Sequence, residues 1–98
     1  MKKIYFTLTG TRHHFGQEFL QPGMTVKLVK EPDNEADNEA IKVTIAGLGT
    51  IGYVSNSYYT RIGESFSAGR LYDKFEENAK AEILFVTPKG VLCALLDD

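Results

Sequence analysis

The chain has 98 residues, a formal net charge of −2, 43% hydrophobic and 24% charged residues. That length supports a single domain over residues 1–98, large enough to bury roughly 60–70% of its unfolded surface, with the composition of an ordinary soluble globular protein. The 11 Lys and Arg are spread thinly, never more than two together, which excludes a duplex-coating protein, because such proteins draw their affinity from a basic stripe that neutralises phosphates.

Ile4, Phe6 and Leu8 alternate with Tyr5, Thr7 and Thr9, the period-two pattern of a half-buried strand. Gly10 to Gly16 interrupts it and carries Arg12-His13-His14. Gln21-Pro22-Gly23 reads as a turn, since Pro presets one turn dihedral and Gly accepts the positive one. Thr25 to Lys30 forms a second strand with Val26 and Leu28 inward, and Ile41, Val43 and Ile45 mark a third. Gly47-Leu48-Gly49 turns the chain into a short fourth strand, Thr50 to Val54. Ser55, Asn56 and Ser57 are candidate N-caps before Tyr58, Tyr59, Ile62 and Phe66, whose spacing predicts a helix over residues 57–67 ending near Gly69. Residues 70–78 read as coil or a helical turn. Ala81 to Thr87 and Val91 to Leu96, around Pro88-Lys89-Gly90, read as a final hairpin of interior strands.

The sum is a mainly β protein of about six strands and one or two helices. A small closed or partly closed barrel, OB-like or SH3-like, accommodates that pattern better than a sandwich. No run approaches the ~18 apolar residues of a membrane helix, and the opening residues do not form a secretory signal. Cys93 has no cysteine to pair with and fits a reducing compartment. A cytoplasmic location is expected.

Three segments are candidates for function. Between the second and third strands, five carboxylates alternate: Glu31, Asp33, Glu35, Asp37 and Glu39. A loop this polar adds nothing to a core, and its Asn and Asp side chains can bond their own backbone and hold turns. The other local reading is one helical turn after Pro32. A calcium loop counted from Asp33 would need Gly at its sixth position and Glu at its twelfth; Asn38 and Thr44 stand there, so no metal is expected. Arg12-His13-His14 suits an anionic ligand, Arg forking onto phosphate while imidazole stacks or donates. In Ile51-Gly52-Tyr53-Val54, Gly marks a bulge or a close approach by a backbone or ligand. Tyr53 is then a core ring with a wet hydroxyl or an exposed stacking platform. Nothing resembles an activated nucleophile or a phosphate loop, so neither an enzyme nor a cofactor site is expected.

Together these segments resemble the HIRAN domain family. The resemblance rests on Lys30-Glu31-Pro32-Asp33-Asn34-Glu35-Ala36-Asp37-Asn38-Glu39-Ala40-Ile41-Lys42-Val43, then Ile51-Gly52-Tyr53-Val54, with Arg12-His13-His14 similar to an early Arg-aromatic-aromatic segment. It spans about residues 6–96, its specificity lying almost wholly in residues 28–54. It implies a modified OB-like barrel and, as in members attached to DNA-remodelling helicases, a grip on the free 3′ end of single-stranded DNA. Carried over by position, Arg12 and His14 hold phosphate or base, Asn34 and Asp37 surround the terminal sugar, and Tyr53 lies beside the end nucleotide. This chain departs from the pattern in having His13 and His14 where DNA-binding members have two aromatic rings, and Ala36 where they have another. Base stacking is worth ~1–3 kcal/mol per base, so RNA or a nucleotide stands as an alternative ligand. The carboxylate of Asp37 accepts hydrogen bonds and cannot donate them, so it would hold a 3′-hydroxyl and repel a 3′-phosphate.

The resemblance places the module beside a helicase or nuclease in repair, restriction or replication. Its rival is a protein-interaction or homo-oligomeric barrel, because Tyr58, Tyr59, Phe66, Tyr72 and Phe75 are more aromatics than one small helix needs and aromatics are enriched at interfaces. A metal-dependent hydrolase built on Asp33, Asp37 and His13 has the fewest supporting features.

Overall fold

Strands form where apolar residues alternate with Thr and Lys in the computed structural model, which describes residues 3–96. They are β1 (Tyr5–Thr9), β2 (Thr25–Lys30), β3 (Ile41–Ile45), β4 (Gly49–Val54), β5 (Asn78–Val86) and β6 (Val91–Leu95), with one short helix, α1 (Ala68–Leu71), between β4 and β5. All neighbours are antiparallel and the sheet closes in the order β1-β4-β3-β2-β5-β6, with β6 returning to β1. Closure removes the unpaired edges that invite aggregation. It is the small barrel that the strand pattern predicts.

Phe6, Leu8, Leu28, Ile41, Val43, Ile51, Ile83 and Val91 fill the interior without solvent exposure, each contributing about 1.5–3 kcal/mol. Val26 and Leu28 point inward as expected. Thr7, on the outer face of β1, is buried as well. Its hydroxyl bonds that of Ser65 at 2.8 Å and accepts from the Ile62 amide at 2.9 Å, because the chain after β4 passes over it.

That crossing segment corrects the predicted helix. Residues 57–61 make one helical turn, with the Arg61 amide on the Ser57 carbonyl at 3.1 Å, and the helix goes no further; a separate turn follows, the Ser65 amide on the Ile62 carbonyl at 3.1 Å. Gly63 takes a positive φ of 54°, which an α-helix does not tolerate. The hydroxyls of Ser57 and Thr7 accept the amides of Tyr59 and Ile62, offering the backbone an alternative to helix. The apolar positions do not share a face: Tyr58 and Tyr59 stand in solvent, while Phe66 bridges β1 through its amide to the Tyr5 carbonyl at 2.7 Å. The helix starts where the predicted one was to end, with Ser67 as N-cap accepting from the Arg70 amide. A 3₁₀ turn over Tyr72–Lys74 follows it.

The β1–β4 seam is short, pairing Leu8 with Val54 and Thr9 with Tyr53. Gly52 makes it possible. A Cβ there would lie 2.6 Å from the Thr9 carbonyl oxygen and 2.7 Å from Leu8 Cδ1. The close approach expected at this glycine is therefore by another strand's backbone.

Candidate nucleic-acid interface

The β1–β4 seam brings two of the three candidate segments together. Beyond Thr9, Gly10 adopts a φ of 75° and starts a 3₁₀ turn over Thr11–His13. Thr11 is buried and pins the turn, while Arg12, His13, His14 and Phe15 project into solvent. Gln17 fastens the loop's far side, donating from Nε2 to the Thr87 carbonyl at 2.7 Å. Across the seam, the His14 ring lies 6.4 Å from that of Tyr53, tilted by 43°, within the separation at which aromatic pairs interact.

The acidic loop reaches the same place from the other side. The Glu31 amide donates to the Ala40 carbonyl at 2.8 Å and closes the loop's base. Inside, Asn34 Oδ1 accepts from the amides of Ala36 and Asp37, and Asp37 Oδ1 accepts from that of Glu39 at 2.9 Å. The loop is thus a chain of Asx turns, and the one-turn helix reading is not what forms. Asp37 Oδ2 takes a further hydrogen bond, from Asn56 Nδ2 at 2.9 Å.

Glu31 is the hub. Its Oε1 accepts from the Tyr53 hydroxyl at 2.8 Å and from Asn34 Nδ2 at 3.1 Å, while Lys42 Nζ stands 3.7 Å from Oε2. Partial burial pushes the carboxyl up, but the bonds from Tyr53 and Asn34 and the charge of Lys42 outweigh it and hold Glu31 below the usual range. Tyr53 is raised by its partial burial, then by donation to Glu31 and the negative charge there. The phenol therefore stays protonated and the carboxylate ionised at neutral pH.

These side chains sort into two neighbouring hollows. One, of about 480 Å³, is lined by Lys30, Glu31, Pro32, Asp33, Asn34 and Tyr53. Arg12 and His13 instead line a second, of about 540 Å³, with Thr60 and Lys89. Asn34, Tyr53 and His14 are thus gathered, Arg12 and His13 stand to one side, and Asp37 faces Asn56. Lys30 is partly engaged, its Nζ 4.4 Å from the Tyr72 ring centre and donating to the Phe75 carbonyl at 2.7 Å.

Sequence reasoning missed Glu31 and Asn56 as organising residues. Glu31 continues β2 with the parity of Val29, whose partner Lys42 pairs in turn with Tyr53; that parity places it on the outer face beside both. Asn56 does act as a cap, but at long range: its Oδ1 accepts the Gly69 amide in α1 at 2.9 Å.

A family model described as the HIRAN domain matches residues 1–78. The chain belongs to the HIRAN domain family. HIRAN domains are single-stranded-DNA-binding modules and are not catalytic by themselves. All six candidate residues lie inside the matched span, whereas most of β5 and all of β6, including the Lys89 hairpin, lie beyond it. No curated protein and no solved structure matches the chain. Among the described residues no helix is long and apolar enough to cross a membrane.

Proposed function

We propose that this HIRAN domain captures the free 3′ end of single-stranded DNA at the β1–β4 seam, in the service of a helicase or nuclease acting in repair, restriction or replication. The observation that carries the reading is that the Glu31 carboxylate holds both Tyr53 and Asn34 of the acidic loop, while the His14 ring lies 6.4 Å from that of Tyr53. Tyr53, oriented by Glu31, and His14 offer rings to the terminal base. Asp37 spends one hydrogen bond on each oxygen, and a carboxylate has about four acceptor sites, so it retains capacity for a 3′-hydroxyl. Arg12 offsets the backbone charge at the next phosphate. An end-binder tolerates an acidic loop that a duplex-binder does not, because a terminal hydroxyl carries no charge to repel.

Fluorescence anisotropy with short oligonucleotides ending in a 3′-hydroxyl or a 3′-phosphate tests this. The hydroxyl end should bind at least several-fold more tightly, and Asp37→Asn should erase the preference. Equal affinity for the two ends would remove Asp37 from the role. With ~1–3 phosphate contacts the salt dependence should be shallow.

A further inference from the structure

Tyr58 and Tyr59 are 81% and 87% exposed, and the core makes no use of them. The turn that carries them is nevertheless well fixed. Ser57 accepts the amides of Thr60 and Arg61 on its carbonyl and that of Tyr59 on its hydroxyl, and Ser55 Oγ bonds the Thr60 hydroxyl. The two rings meet edge to face, centroids 5.9 Å apart at 79°, so their outer faces stay open to solvent. Arg61, Glu64 and Lys89 join them around a hollow of about 440 Å³. The Arg61 Nε is buried and has no hydrogen-bond partner among the described residues.

Lys89 also lines the hollow that holds Arg12 and His13, so the two share a wall at this side chain. The lysine sits at the tip of the β5–β6 hairpin, which is closed by bonds between Thr87 and Gly90 and pinned to the Arg12 loop by Gln17. Along this path Arg12, Lys89 and Arg61 oppose one carboxylate, Glu64. Spaced cations ending on exposed rings match the chemistry of a single nucleic-acid strand: phosphates for the cations, base faces for the rings.

We infer that a strand held by its end at Tyr53 and His14 continues past Arg12 and Lys89 and stacks an upstream base on the Tyr58–Tyr59 pair. This rests on the end-binding reading, to which it adds a second contact several nucleotides from the terminus. Affinity should then depend on length, because an oligonucleotide too short to span the path reaches only the end site.

The test is a competition series of 3′-hydroxyl oligothymidylates from about two to about eight nucleotides, within the footprint of a single barrel. Wild type is compared with the double variants Tyr58→Ala/Tyr59→Ala and Tyr58→Phe/Tyr59→Phe, with thermal melts to verify the fold. Wild type should gain about tenfold or more in affinity across the series, as one added stacked base implies. The alanine pair should lose that gain while binding the shortest oligonucleotide as wild type does, and the phenylalanine pair should keep it. A length gain that survives in the alanine pair overturns the inference. So does a flat series in wild type that still prefers the 3′-hydroxyl, and that outcome leaves end capture standing. Failure of wild type to bind any length overturns both readings. A change in self-association by sedimentation, with no change in the length series, would assign the two rings to a protein interface instead.

Discussion

The Tyr53 hydroxyl donates to Glu31 Oε1 at 2.8 Å, and that one contact ties β4 to the chain leaving β2 across the intervening β3. The same oxygen holds Asn34 at 3.1 Å, so ring, loop and strand share a single anchor. Tyr53 is thereby oriented before any ligand arrives, which lowers the ordering cost that binding would otherwise carry. The anchor is electrostatic and should be visible to pH.

Glu31 ionises at lower pH in the fold than its ordinary 4.5. Acid therefore protonates the unfolded chain first, so the stability this group supplies is full above 4.5 and is lost as pH falls through the folded value. Tyr53 has the opposite sign. Its raised value means that the contribution is full below the ordinary 10.0 and is lost as pH rises through the folded one. Urea unfolding of wild type and Glu31→Gln should differ by about 1 kcal/mol at neutral pH, a modest figure for a half-exposed charged hydrogen bond. The gap should shrink below pH 4.5, and a gap that stays constant into acid would show that Glu31 is not the responsive group.

Gly52→Ala tests the seam itself. The added Cβ would press 2.6 Å from the Thr9 carbonyl oxygen, and a paired backbone cannot move aside as a side-chain tip can. Forced overpacking of this kind costs about 1–3 kcal/mol. The variant should show a lowered urea midpoint and a weakened contact between the His14 and Tyr53 rings, followed by nuclear Overhauser effects. An unchanged midpoint would mean that β1 and β4 are not so closely apposed.

The barrel was legible because Phe6, Leu8, Val26, Leu28, Ile41 and Val43 alternate without interruption, and alternation reports which face is buried. The turn chemistry of the acidic loop was legible for a similarly local reason, since Asn34 and Asp37 bond amides two or three residues on. The failure at residues 57–67 came from counting apolar spacing alone. Tyr58 and Tyr59 supply half the helical pattern yet face water, and Thr7, some 55 residues away in sequence, captures the amide of Ile62. The neighbouring of His14 and Tyr53 depends on β1 pairing with β4, a non-sequential choice that no local pattern encodes. Only the family motif tied those segments together in advance.

Cys93 should be inert in the folded protein. It has no exposure in the barrel interior, and burial pushes its thiol up to about 12, which leaves almost no thiolate at neutral pH. Labelling with a chromogenic disulfide reagent should be negligible in buffer and complete in strong denaturant. Rapid labelling of the native protein would show that β5 and β6 open around it.

Asn56 joins the acidic loop to the helix, donating to Asp37 Oδ2 and accepting the Gly69 amide. Glu39 leans on the same point, its Oε1 lying where a side chain on Gly69 would be, 2.7 Å from the Cβ position. Asn56→Ala removes both bonds from an exposed residue, so global stability should fall by only about 1 kcal/mol. The local effect should be larger: the carboxylate of Asp37 loses its orienting partner, and amides of residues 35–39 should exchange faster with deuterium. If end capture needs a positioned carboxylate, the preference for a 3′-hydroxyl should decline together with that protection. Faster exchange with the preference intact would mean that the loop's own Asx turns suffice to hold Asp37 in place.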